Sequence, residues 1–180
     1  MKNSFRNRDP LADLEPLIRH VYAYVSYRVA NRDDAEDVTS ETFERAVRYR
    51  ESFDPARGTP FAWLTGIADR CIAAAAGRRR DESYDVPELA APGELAEDGP
   101  RRLTLVRAIG RLNERDRQLV ALRFGGDLSA KQIGALLGLR TNAVEVALHR
   151  ALERLRQVLD ADSDEPDLAL PLDRSVAPHG

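Results

Sequence analysis

The residues whose types and spacing best suit binding chemistry lie at positions 128–156, in the sequence LSAKQIGALLGLRTNAVEVALHRALERLR. At helical spacing, one face there carries the polar side chains of Asn142, Glu145, His149 and Arg156. Amide and guanidinium groups donate hydrogen bonds to phosphates and base edges, and a carboxylate can accept one from a cytosine amino group. The segment therefore predicts contact with duplex DNA.

A short helix and a longer one must position these side chains. Ser129 can cap the first helix, and Gly138 suits the left-handed residue that ends it. Thr141 or Asn142 can cap the second helix, which has an apolar stripe at spacings of four, three and four: Val144, Leu148, Ala151 and Leu155. The pattern predicts a helix-turn-helix whose second helix enters the major groove. An ordinary helical hairpin is the alternative.

The charge distribution favours DNA binding by the same part of the chain. The overall net charge is −3, yet residues 101–156 carry +7 and residues 1–80 carry +2. Residues 81–100 carry −7 and residues 157–180 carry −5. The helix-turn-helix therefore lies in the strongly basic segment, as neutralisation of phosphates requires.

Several functional classes are excluded by composition. The 180 residues contain no long apolar run, and the polar N-terminus does not resemble a signal peptide. The lone Cys71 cannot form an internal disulfide, and no Cys/His group has metal-binding spacing. No nucleophile–base pair or phosphate-binding loop is visible. We therefore expect a cytoplasmic protein without metal, cofactor or enzymatic activity, and without membrane insertion.

The fold class predicted is all-α, in two small helical domains. Residues 9–80 form the first and residues 101–159 the second, since no strand-like alternation occurs. Residues 81–100 combine acids with proline and glycine, which favours a flexible linker. The tail at residues 160–180 is acidic and is expected to be disordered.

The first domain contains three further candidate features. The helix DDAEDVTSETFERAVRYR repeats acids every three or four residues, and a solvated face is the simpler explanation. The loop SFDPARGTP precedes a helix with Trp63, which is either a core anchor or a base-stacking surface. That helix ends in three arginines that either complement its dipole or contact phosphate.

At this point the chain resembles a known family. The sequence DDAEDVTSETFERAVR followed by GTPFAWLTGIA is similar to the polymerase-binding and promoter-melting region of bacterial sigma factors. The sequence LNERDRQLVALRFGGDLSAKQIGALLGLRTNAVEVALHRALERLR resembles their second DNA-binding region. Having only these two regions, in this order, is similar to the extracytoplasmic-function branch.

The resemblance implies an RNA polymerase sigma factor, whose partners would be core RNA polymerase, promoter DNA and an anti-sigma factor. The polymerase-binding residues would be Asp34, Asp37, Glu41 and Phe43. The minus-ten element would contact Arg57, Gly58, Thr59, Phe61, Trp63, Arg70, Arg78, Arg79 and Arg80. The minus-thirty-five element would contact Lys131, Arg140, Thr141, Asn142, Glu145, His149 and Arg150.

The chain departs from the family pattern in two helices. An Arg-Asn pair and a later Asp are frequent in the family, where this chain has Asp69, Arg70 and Ala74. In the recognition helix, positions that are commonly polar or basic are Glu145, Val146 and Ala147. Glu145 either reads a cytosine or is a solvated residue on a weak DNA binder. The alternative functions are a helix-turn-helix regulator or a protein-binding adaptor with weakened DNA recognition.

Overall fold

The structure, a computed structural model, describes residues 9–29, 31–81 and 99–163. These residues contain helices and turns but no strand, which confirms the all-α prediction. The helices are α1 (Leu14–Ser26), α2 (Arg32–Tyr49), α3 (Pro60–Asp81), α4 (Gly99–Gly110), α5 (Glu114–Val120), α6 (Ala130–Leu137) and α7 (Thr141–Ser163). A 3-10 turn, Arg50–Ser52, follows α2, and a π-helical turn, Ala121–Gly125, follows α5.

Helices α1 to α3 form the first domain. The side chain of Asn31 caps α2 by accepting a hydrogen bond of 2.8 Å from the backbone N–H of Asp34. The apolar side chains of α1 are buried along its second half, at Val21 and Val25, while Leu14 and Ile18 stay exposed. The first turns of α1 therefore lie at the edge of the core.

Helices α4 to α7 form the second domain, which has a core of its own. This core contains six buried residues: Ala108, Ile109, Leu112, Val120, Ala151 and Leu155. An ion pair accompanies it, because the buried Asp116 carboxylate contacts the half-exposed Arg154 of α7 and also accepts from the side-chain amide of Asn113 at 2.9 Å. The pair ties α5 to α7, so Arg154 serves the fold of this domain.

A larger core is shared by the two domains. It joins Tyr24 and Leu64 of the first domain to Leu122, Ile133 and Val144 of the second. The packing between domains is concentrated between α1 and the π-helical turn. The sequence predicted two domains joined by a flexible linker and did not predict this contact between them.

The proposed domain boundaries stay predictions. Helix α3 reaches Asp81 and α4 begins at Gly99, so most of the predicted linker and most of the predicted tail lie outside the described residues. Among the residues that the structure describes, no helix is long and apolar enough to cross a membrane.

Candidate nucleic-acid and protein interfaces

The turn between α6 and α7 is fixed at both ends by local chemistry. The Ser129 hydroxyl accepts from the backbone N–H of Gln132 at 3.3 Å, and the Gln132 side chain accepts from the Ser129 N–H at 2.9 Å. This reciprocal pair is a capping box. Gly138 ends α6 with a left-handed φ of 68°, as predicted from the sequence. Helix α7 begins at Thr141, so Thr141 is its first helical residue and not its cap.

Helix α7 has the two faces that its sequence predicts. The stripe of Val144, Leu148, Ala151 and Leu155 is buried. The opposite face is exposed, and it includes Asn142, Glu145, His149 and Arg150. Lys131 of α6 and Arg140 of the turn are also exposed. No ion pair joins any of these side chains to another described residue, so their donors and acceptors face solvent.

The acidic face of α2 is partly neutralised within its own domain. The Glu41 carboxylate pairs with Arg45 at 2.5 Å and with Arg78 of α3 at 3.5 Å. Asp37 is exposed, whereas Asp34 lies half-buried in the first helical turn. Phe43, which the resemblance grouped with these acids, is half-buried and packs against the core.

The loop between the 3-10 turn and α3 borders a cavity of about 400 Å³. Phe53 and Trp63 meet edge to face there, with ring centroids 5.7 Å apart, and both are half-buried. Arg57 and Arg70 line the same cavity. Two aromatic rings beside two guanidinium groups make a surface on which a nucleobase can stack while its phosphate is neutralised.

Gly58 and Thr59, also predicted to contact the minus-ten element, line the same cavity. The other residues predicted for that contact are placed differently. Phe61 is only 7% exposed and packs edge to face against His20 and Tyr24, so it belongs to the core. Arg78 is exposed and paired with Glu41. The side chains of Arg79 and Arg80 lie outside the part of the chain whose burial and contacts the structure describes.

A polar cluster at the domain boundary was not predicted. Tyr24 donates a hydrogen bond of 2.6 Å to Asp69, and Arg28 donates to the Tyr24 hydroxyl at 2.7 Å and to Asp69 at 3.2 Å. The second guanidinium nitrogen of Arg28 pairs with Glu114 of the second domain. Gln118, also of the second domain, donates a long bond of 3.4 Å to Asp69. Of the residues in this cluster, only Asp69 is marked as unusual by the sequence, because it departs from the family pattern.

Two titratable groups are perturbed by burial. Burial is the main cause that raises the pKa of the Tyr24 phenol above its ordinary value, so the phenol stays protonated and donates to Asp69. Burial likewise raises the pKa of the free Cys71 thiol, which leaves it unreactive. Across the described residues, no group of histidine, cysteine and acidic side chains could hold a metal ion.

The described chain thus combines a helical domain, which has a cavity lined by aromatic residues and arginines, with a second domain that contains a helix-turn-helix. Residues 14–82 match the family Sigma-70 region 2, and residues 102–155 match the family Sigma-70, region 4. The chain belongs to the extracytoplasmic-function (ECF) RNA polymerase sigma factors.

Individual relatives agree with this family. The ECF RNA polymerase sigma factor SigD of Mycobacterium tuberculosis is 34% identical over 175 residues, which cover 87% of this chain and 78% of SigD. The ECF sigma factor BldN of Streptomyces coelicolor is 32% identical over 152 residues, and the match spans 79% of this chain but only 57% of BldN. The fold is similar to that of the sigma factor RpoE, which was solved in complex with the anti-sigma factor NepR from Bartonella quintana. The TM-score is 0.66 and the sequence identity is 20%. The match covers 83% of this chain and 96% of RpoE.

Proposed function

We propose that this sigma factor binds core RNA polymerase and directs promoter recognition when transcription starts. The observation that carries the proposal is the presence of both sigma regions, in order, in one chain. A repressor or activator would need only the second region. A protein-binding adaptor would not need the unpaired basic groups on the exposed side of the helix-turn-helix.

Core polymerase is the proposed partner of the acidic face of α2. The exposed carboxylate of Asp37 and the half-buried Glu41 support this role. Charges of this kind steer the encounter with a protein partner and fix how the two surfaces align. Phe43 would contribute as the support beneath this face, since it packs on the core.

The cavity beside Trp63 is the proposed site for a flipped base of the minus-ten element. Stacking on an aromatic ring stabilises a bound base by about 1–3 kcal/mol, which offsets an unstacking cost of a few kcal/mol. Arg57 and Arg70 would neutralise the neighbouring phosphates. Phe61 would hold the loop in place from the core side.

The exposed face of α7 is the proposed reader of the minus-thirty-five element. Its N-terminal residues Asn142 and Glu145 would lie nearest the bases, as in other helix-turn-helix proteins. Lys131, Arg140 and Arg150 would contact phosphates. An anti-sigma factor is a further proposed partner, and we propose action in the bacterial cytoplasm without enzymatic activity of its own.

The test is a pull-down with purified core polymerase followed by runoff transcription on fragmented genomic DNA from the source organism. The wild-type chain should bind core and produce discrete transcripts that core alone does not. A Trp63→Ala variant should bind core equally but give fewer runoff transcripts, because the base-stacking surface is lost. If the wild-type chain neither binds core nor changes its transcripts, the sigma-factor proposal is wrong.

A further inference from the structure

One apolar side chain of α7 lies on the surface, where the packing of the second domain does not require it. Val146 is 50% exposed, whereas Val144 and Leu148, two positions before and after it, are buried. Among the described residues, Val146 belongs to neither apolar core, although its neighbour Ala147 packs against the larger one. Single exposed apolar residues are common on protein surfaces, so the position of Val146 matters more than its exposure.

Val146 lies on the side of α7 that is farthest from the core. At 3.6 residues per turn, it is about 170° around the helix axis from the centre of the buried stripe. Helix α7 begins at Thr141, so Val146 lies in its second turn. The N-terminal residues of the second helix reach the base edges in helix-turn-helix proteins. Val146 therefore faces the floor of the major groove when α7 enters DNA.

Polar and charged side chains occupy the neighbouring positions on this face. Glu145 and His149 are exposed on one side of Val146, and the cations Arg140 and Arg150 are exposed at the edges of the face. A protein partner would have to desolvate these charges in order to bury a single valine. A DNA duplex instead offers phosphates to the cations and base edges to the centre of the face, so it is the better occupant.

The chemistry of valine limits what it can recognise in the groove. Its side chain has no donor or acceptor, so it cannot read the hydrogen-bonding pattern of a base pair. The apolar group that bases display in the major groove is the C5-methyl of thymine. Contact between this methyl group and a valine removes apolar surface of both from water, which stabilises the complex.

We propose that Val146 is a specificity-determining residue of this sigma factor and selects a thymine in the minus-thirty-five element through contact with its C5-methyl group. The inference rests on the proposed function for the identity of the DNA element, and it adds the base that is read. Positions of the recognition helix that are commonly polar or basic in the family include position 146, so this preference belongs to the present chain.

The first step of the test obtains a bound DNA sequence. The full-length protein, alone and in complex with core polymerase, selects duplexes from a pool that contains a random segment. The enriched motif is then synthesised with each thymine replaced in turn by deoxyuridine, which lacks only the C5-methyl group. Fluorescence anisotropy measures the affinity of wild type and of Val146→Ala for every duplex.

Wild type should show one thymine at which deoxyuridine weakens binding about fourfold, the effect of losing one buried methyl group. Val146→Ala should bind the unmodified duplex less tightly than wild type and should no longer distinguish thymine from deoxyuridine at that position. When a cytosine–guanine pair replaces the thymine–adenine pair there, methylation of the cytosine at C5 should strengthen wild-type binding and leave Val146→Ala unchanged.

Leu152→Ala is the matched control, because Leu152 is another exposed apolar residue of α7, with 39% exposure. It lies about 9 Å further along the helix, at 1.5 Å per residue, so this variant should keep the wild-type sensitivity to the thymine methyl group. Both variants should keep the wild-type helicity in circular dichroism, because both positions are exposed and alanine favours the helix.

A motif in which no thymine is sensitive to the loss of its methyl group would overturn the inference, as would a sensitivity that persists in Val146→Ala. Selection that enriches no motif would also overturn it and would favour a protein partner for this face. Failure of the proposed function gives a different result. A chain that selects a methyl-sensitive motif alone, but neither binds core nor starts transcription, would keep the Val146 contact and lose only the sigma-factor role.

Discussion

The interface between the domains and the exposed face of α7 use similar side chains in opposite ways. At the interface, Arg28 is buried and pairs with carboxylates from both domains. On α7, Glu145 and Arg150 are exposed, and neither forms an ion pair with a described residue. Residue type alone therefore does not separate structural charges from binding charges, whereas burial and pairing do.

This difference sets what a substitution should change. A buried, paired group holds the fold or the domain arrangement, so its loss lowers the free energy of unfolding or separates the domains. An exposed, unpaired group contributes little to stability, and substitutions there usually change it by less than about 0.5 kcal/mol. Binding affinity is then the property to measure.

The largest effect should come from Phe61, which the sequence placed at the DNA and the structure places in the core. Phe61→Ala should lower the free energy of unfolding by about 3–5 kcal/mol, because it empties a ring-sized space between the domains. Chemical denaturation monitored by circular dichroism measures the change.

Trp63→Ala is the variant to compare with Phe61→Ala, since Trp63 is half-buried at the cavity. It should lower stability by clearly less than Phe61→Ala and weaken binding to single-stranded DNA more. The reverse order of stabilities would mean that Trp63, and not Phe61, is the core anchor of this loop.

The next effect concerns the acidic face of α2. Replacing Asp37 and Glu41 together by arginine should weaken association with core polymerase at least tenfold, because the charges that would steer docking are reversed. Glu36→Arg is the matched control, since Glu36 pairs with Arg32 and lies about 100° around the helix axis from Asp37, at 3.6 residues per turn. Competition binding to core measures both variants, and equal competition by the double variant and the control would remove α2 as the polymerase contact.

Local sequence patterns predicted the helix-turn-helix well. Ser129, Gly138 and the stripe through Val144 act within a few residues of chain, so capping and periodicity suffice to place them. The same patterns predicted helix α2. Propensity and spacing describe such elements because their stabilising contacts are close in sequence.

The docking of the domains could not be predicted in this way. Arg28 and Glu114 are 86 positions apart, and nothing local to either residue indicates the other. Gly125 lies in a turn, and only the position of α1 gives it a steric role. The burial of Phe61 could not be predicted for the same reason, because the core that contains it is assembled from distant segments.

A smaller effect is expected where α6 begins. Ser129→Ala removes the hydroxyl side of the capping box, leaves the backbone N–H of residue 129 able to donate to Gln132, and should lower the free energy of unfolding by about 1 kcal/mol. Ser129→Asp is the matched control, because aspartate also caps and should retain most of the stability. Thermal unfolding of the three proteins measures this, and equal midpoints for alanine and serine would show that the cap does not stabilise the turn.

The smallest effect should be produced by Glu145→Lys, which probes the exposed face of α7. The lysine adds a cation where phosphates should lie, so duplex affinity should rise about threefold and the slope of log K against log salt should steepen by up to about 0.9. Glu153→Lys is the control, since it lies about 12 Å further along α7, at 1.5 Å per residue. Fluorescence anisotropy with a mixed-sequence duplex at several salt concentrations measures both variants, while their unfolding free energies should match wild type.

If Glu145 instead reads a cytosine, selectivity at one base pair should fall when single-substituted duplexes are compared. Identical salt slopes and selectivity in Glu145→Lys and wild type would mean that this face does not enter DNA, and would favour a protein-binding role for the second domain.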